Sequence, residues 1–146
     1  MSVTTLNNVN LAAVGALTQA VKEQPAAANT TWSAAVTWKG GFRADARIGE
    51  HVIHSDEPSI LGGDGTAPNP VEQLIAALGS CLAVGYAANA TAKNIELREL
   101  RIDLRGDLNI KTFLGLDADG NAGYESIRAD VHIKSDASES QIKELH

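Results

Sequence analysis

A chain of 146 residues that is 44% hydrophobic is long enough to build one domain around its own core. A formal net charge of −6 excludes the basic surface that nucleic-acid binding requires. One cysteine excludes an intrachain disulfide framework and a Cys-rich zinc site; a lone thiol suits a reducing compartment, so the expected location is cytoplasmic.

No basic segment followed by a solid apolar block opens the chain, so no signal peptide is expected. Leu11, Val14, Leu17 and Val21 recur at helical spacing and Pro25 follows, which predicts a first amphipathic helix over residues 10–23 and a short linker over 25–30. Residues 31–39 alternate around Val36 and Trp38 until Gly40 and Gly41 interrupt them. Residues 42–48 and 51–54 read as two more short strands, giving an antiparallel meander. The Gly-rich stretch 61–68 is a loop that lets the backbone turn into the next helix; it lacks the lysine of a phosphate loop.

That helix has strong start signals. Asn69 is a good N-cap, Pro70 takes the first helical position and Glu72 lies near the positive end of the macrodipole. Its stripe runs Val71, Leu74, Ile75, Leu78, Cys81, Leu82 and Gly85, so Cys81 is expected to face the core. Residues 74–92 carry no charge, but they include Ser80, Asn89 and Thr91 among many Ala and Gly. Spanning a membrane takes ~20 strongly apolar residues, so a buried helix of a soluble protein is expected, with no membrane partner. Lys93 and Asn94 mark its end. Residues 96–108 and 126–134 alternate as two strands with a turn at 117–123, and Ser138 caps a last helix from Glu139 onward. The order α, three strands, α, two strands, α predicts an α+β domain.

Cys81 is the first candidate for chemistry. A thiol that attacks a peroxide must be a thiolate, which needs a nearby cation or a helix N-terminus. Cys81 sits about three turns into its helix, so burial as an inert core thiol stands beside the reactive reading. Arg43 and Arg47, four apart on a predicted strand, share a face; they are either solvated surface charges or charge partners for Cys81. His51 and His54 point to opposite faces of their strand and His132 and His146 lie elsewhere, so no metal site is expected. Asp117, Asp119 and Asn121 imitate the opening of a calcium loop, but Ala122 and Arg128 occupy its sixth and twelfth positions; this is a hairpin turn.

Taken together, four blocks resemble the OsmC/Ohr family of osmotically induced and organic-hydroperoxide-resistance proteins, closest to its OsmC-like branch. They are residues 55–58 (Ser-Asp-Glu-Pro), 62–65 (Gly-Gly-Asp-Gly), 69–81 (Asn-Pro-Val-Glu-Gln-Leu-Ile-Ala-Ala-Leu-Gly-Ser-Cys) and 113–116 (Phe-Leu-Gly-Leu), the last followed by Ile127. The resemblance covers roughly residues 36–146 and leaves residues 1–30 as a helical extension and linker before a domain over 31–146. It implies antiparallel sheets wrapped around a central Cys-bearing helix, in an intertwined homodimer with active sites at the subunit interface. It also implies reduction of organic hydroperoxides by a peroxidatic Cys, which an Arg holds as thiolate and a Glu-oriented guanidinium aims, with a dithiol as reductant and no cofactor.

Carried across by position, Cys81 is the peroxidatic residue and Arg43, following Gly40 and Gly41, is the thiolate partner, with Arg47 as the alternative. Val71 stands where the family has its orienting Glu, and Glu72 is the nearest carboxylate, rotated ~100° around the helix. The family's resolving Cys follows the last helix, inside which this chain stops. The expectation is either a missing C-terminal part or a protein without a resolving thiol. The apolar residues Val71, Ile75, Leu78 and Leu82 would favour a peroxide with an alkyl tail. Two alternatives stand beside the reductase: a non-catalytic or small-ligand-binding dimer of the same fold, and a one-cysteine peroxide sensor.

Overall fold

The structure, a computed structural model, describes residues 5–145. Residues 1–4 of the expected extension and His146 lie outside them. The order of elements is α1 (Leu11–Glu23), β1 (Ala35–Trp38), β2 (Ala44–Ile48), β3 (His51–Ser55), α2 (Pro70–Ala92), β4 (Glu99–Leu108), β5 (Tyr124–Lys134) and α3 (Glu139–Lys143). This is the expected α+β sequence of elements. The first strand is shorter than the 31–39 alternation suggested, because only residues 35–38 find partners on β2. Two compact units divide the chain, Ala12–Leu74 and Met1–Leu11 with Ile75–His146.

The unit of residues 12–74 contains the antiparallel meander β1-β2-β3. Gly40 and Gly41 hold positive φ at the first turn and Gly49 does so at the second, conformations that cost a side-chain-bearing residue energy. The indole Nε1–H of Trp38 donates to the carbonyl of Gly41 at 2.8 Å. After β3 the chain is organised by Asp56, 1% exposed. Its carboxylate accepts from the backbone N–H of Glu57 at 2.9 Å and of Thr66 at 3.0 Å, and from the Thr66 hydroxyl at 2.8 Å. Those bonds close the Gly-rich loop, inside which a side chain at Gly63 would collide with the carbonyl of Glu57. The loop thus delivers the chain to Asn69, whose Oδ1 accepts from Glu72 N–H at 2.8 Å while a Glu72 carboxylate oxygen accepts from Asn69 N–H at 2.9 Å. This reciprocal capping box starts α2.

In the other unit β4 and β5 form a ladder, Glu99 opposite Lys134 through Gly106 opposite Ile127. Alternation sends Leu100, Ile102 and Leu104 to one face and charged residues to the other. Leu100, Ile102, Val131 and Ile133 pack against a core of Tyr86, Ala90, Ile95 and Leu145. Helix α2 approaches β4 closely, since a side chain at Gly79 would meet Leu104. It ends in a left-handed Asn94, after which Ile95 N–H bonds the carbonyl of Ala90 at 2.8 Å and Ile95 enters the core. Ser138 and Gln141 form a second capping box at α3. Residues from the start of the chain are tied into this unit as well. The Asn7 amide donates to Thr91 Oγ1 at 3.0 Å and to Ile95 O at 2.9 Å, and accepts from Leu97 N–H at 2.8 Å.

The structure corrects one expectation. The stripe of α2 exists, but it is only partly covered: Ile75 and Leu82 are half-buried, whereas Val71, Leu74 and Leu78 are exposed, Leu74 by 61%, and Cys81 is exposed with them. Tyr86, Ala90 and Thr91 are its buried residues. The pattern of a charge-free helix identifies an apolar side; it does not say what covers it. By length and composition alone α2 could also cross a membrane.

Candidate functional site

Cys81 lies on α2 eight residues beyond Gln73, or ~12 Å along the axis. Spacings of three and four place it on one strip with Leu74 and Leu78, so the thiol is presented from an apolar surface. It belongs to the unit of residues 75–145, whereas Arg43, Arg47 and Glu72 belong to the unit of residues 12–74.

Within the latter unit the two arginines fall in different places. Arg43, just before β2, lines an open cavity of about 360 Å³ together with Lys39, Asp45, His54, Ser55 and Thr66. Arg47 lines a smaller one of about 170 Å³ with Thr37, Lys39, Asp45 and Val52. No ion pair to either guanidinium occurs among the described residues, so both remain available to an anion. Glu72 is engaged otherwise, its carboxylate bonded to the backbone N–H of Asn69. Its first action is to cap the helix.

The Arg43 cavity holds a pairing not foreseen from the sequence. Asp45 and His54 are direct partners across β2 and β3, and Asp45 Oδ1 lies 2.7 Å from His54 Nδ1. Lys39 Nζ is 3.7 Å from the other carboxylate oxygen. The hydrogen bond from His54 holds the Asp45 carboxyl below its ordinary pKa against the opposing pull of desolvation, and the charges of His54 and Lys39 add to the lowering. A signal for this pair was present: a tight turn at Gly49 and Glu50 sets Ile48 opposite His51, and counting outward puts Asp45 opposite His54. The Gln73 side chain donates to the carbonyl of His54 at 2.7 Å, fixing this part of β3 to the first turn of α2.

Among the described residues no group of three or more His, Cys, Asp and Glu side chains could hold a metal ion. The Asp117 turn is closed by its own carboxylate, which accepts from Asp119 N–H at 3.3 Å.

A family model described as OsmC-like protein matches residues 63–146. Among solved structures, an OsmC-like protein from Mycoplasma pneumoniae is similar with a TM-score of 0.69 and 21% identity, over 80% of this chain and 78% of that one. An OsmC-like protein of unknown function from Vibrio cholerae gives 0.64 and 17%, over 80% and 85%. An organic hydroperoxide resistance protein OsmC from Legionella pneumophila gives 0.58 and 18%, over 80% and 81%. Identities this low make these likenesses of fold. Comparison with curated proteins finds no match.

Proposed function

Since the chain belongs to the OsmC-like family, whose model its residues 63–146 match, we propose that it reduces organic hydroperoxides at the expense of an external thiol, with Cys81 as the nucleophile. The observation that carries this reading is the exposed thiol of Cys81 on an apolar strip of α2, inside the matched segment. Sulfur attacks the terminal peroxide oxygen, the O–O bond breaks, and an alcohol leaves while Cys81 becomes a sulfenic acid. A thiol reductant then condenses with the sulfenic acid, releasing water and forming a mixed disulfide. The second thiol of a dithiol displaces Cys81 and completes the cycle.

Arg43 is the residue assigned to the thiolate, ahead of Arg47. It lines the larger cavity and its charge has no carboxylate partner among the described residues. An adjacent guanidinium lowers a thiol pKa below its ordinary ~8.5. Glu72 serves the cap first and aims Arg43 only as far as the cap permits. The working form is a homodimer in the cytoplasm. A second copy would bring the exposed strip of α2, with Leu74 61% and Leu78 38% exposed, out of water.

The test is consumption of cumene or t-butyl hydroperoxide by the purified protein with dithiol and monothiol reductants, beside Cys81→Ser. Consumption should vanish in the variant and should be faster with the dithiol. A Cys81→Ser protein that retains full activity would sink the reading. A second reading, a dimer that binds a small ligand without turning it over, is favoured by one observation, the engagement of Glu72 at the helix cap beside Val71. Wild-type protein no more active than Cys81→Ser would select it.

A further inference from the structure

The polar face of the β1-β2-β3 meander carries a local charge opposite in sign to that of the whole chain. Arg43, Asp45 and Arg47 alternate onto one face of β2 and its approach. Lys39 joins them across the turn, its backbone N–H bonded to the carbonyl of Arg43 at 2.9 Å. Three cations thus stand with one carboxylate around the two cavities of this unit, in a chain with 12 basic and 18 acidic residues.

That carboxylate is already engaged. Asp45 lies 2.7 Å from His54 Nδ1 on β3 and 3.7 Å from Lys39 Nζ, so partners on both sides draw it away from the arginines. Lys39 and Asp45 line both cavities, and their ion pair stands where the two meet. Arg43 is on one side of it and Arg47 on the other, each without an ion pair among the described residues. Each cavity keeps one guanidinium charge that no carboxylate offsets. A guanidinium takes a carboxylate or a phosphate through two parallel bonds, but a phosphate monoester brings a charge of about −1.5 to −2, more than one arginine neutralises. A carboxylate matches it. Four residues of extended chain set the two Cα atoms about 13 Å apart, which suits the two forks to the two ends of one ligand.

We propose that this face of the meander binds a small dicarboxylate, one end on Arg43 and the other on Arg47, across the Lys39–Asp45 pair. The site lies wholly within the unit of residues 12–74 and needs nothing from Cys81, so it does not rest on the reductase reading. Where that reading also holds, the thiolate and the dicarboxylate take Arg43 in turn.

The experiment is calorimetric titration of the full chain with suberate, with its monomethyl ester (the same length with one charge), with succinate and with inorganic phosphate. Suberate should bind at least about tenfold more tightly than its monoester or succinate, because only it reaches both arginines. Arg47→Ala and Arg43→Ala should each abolish that advantage, Arg47→Lys should restore part of it, and Cys81→Ser should bind suberate as the wild type does. Backbone amide shifts on adding suberate to the wild type should centre on Lys39, Arg43, Asp45 and Arg47; they carry the test if a variant does not fold. Equal affinity for suberate and its monoester, or an Arg47→Ala protein that keeps the advantage, overturns the site. Loss of binding in Cys81→Ser, or shifts centred outside the meander, overturns its location. Phosphate bound more tightly than suberate overturns the ligand class. Peroxide consumption is read separately, so failure of the reductase reading leaves each of these outcomes interpretable.

Discussion

Between residues 75 and 145 the chain buries Tyr86, Ala90, Ile95 and Leu145 among one another, whereas between residues 12 and 74 its fully buried side chain is a carboxylate, Asp56. Apolar burial holds the first region, at roughly 25 cal/mol per Å² removed from water. The second relies on ladder hydrogen bonds, on tight glycine turns and on a loop gathered around Asp56. Among its described residues no apolar side chain is buried. The difference suits a division of labour. Packing gives α2 a fixed seat from Tyr86 onward, while the loosely covered meander leaves Arg43, Asp45 and His54 around an open cavity.

The contrast can be broken or sharpened by experiment. Tyr86→Ala should cost about 3–5 kcal/mol in denaturant unfolding, with hydrogen-exchange protection falling first in β4 and β5. Equal loss of protection in β2 and β3 would mean that the two regions do not differ in this way. Gly63→Ala should cost about 3 kcal/mol, because the new methyl meets the Glu57 carbonyl rather than a movable side chain; here protection should fail first in the 56–66 loop. Asn69→Ala, which removes one half of the capping box, should cost about 1 kcal/mol. Fraying at the start of α2, seen by exchange at residues 70–73, is its expected signature.

The smallest and most selective effect is that of acid. The Thr66 backbone N–H, helped by the Thr66 hydroxyl and the N–H groups of Glu57 and Asp64, holds the Asp56 carboxyl below its ordinary value despite desolvation. A carboxyl depressed in the folded state contributes stability that is complete above its unfolded pKa of ~3.9 and is lost as pH falls through the native one. The 56–66 loop should therefore lose protection below about pH 4, before the Tyr86 core does. Glu99 and Asp107 in the ladder are lowered too, by bonds to Lys134 and to Ser126 and Arg128, but those pairs are exposed and screened by solvent. If the core opened at the same pH as the loop, Asp56 would not be its organiser.

Much of the fold was legible in residues with a local physical effect. Asn69, Pro70 and Glu72 announced the start of α2, Asn94 its end, and Ser138 the start of α3, because caps act within one turn. Alternation marked the strands for the same reason. The long-range features were less visible. Asp56 appeared only as part of a family block, since its partner Thr66 lies ten residues away across a loop. Cys81 was expected to face inward because periodicity identifies an apolar side without identifying what covers it. His54 was weighed only among the other histidines as a metal ligand, and its bond to Asp45 on the neighbouring strand emerges only from the ladder register.

The attachment of Asn7 bears on the order in which the chain takes shape during synthesis. Asn7 leaves the ribosome early, yet its partners Thr91, Ile95 and Leu97 lie 84 to 90 residues later. All of residues 12–74 emerge in between. The contiguous meander can therefore assemble while the turn at Asn7 still waits for residues 91–97 to be made.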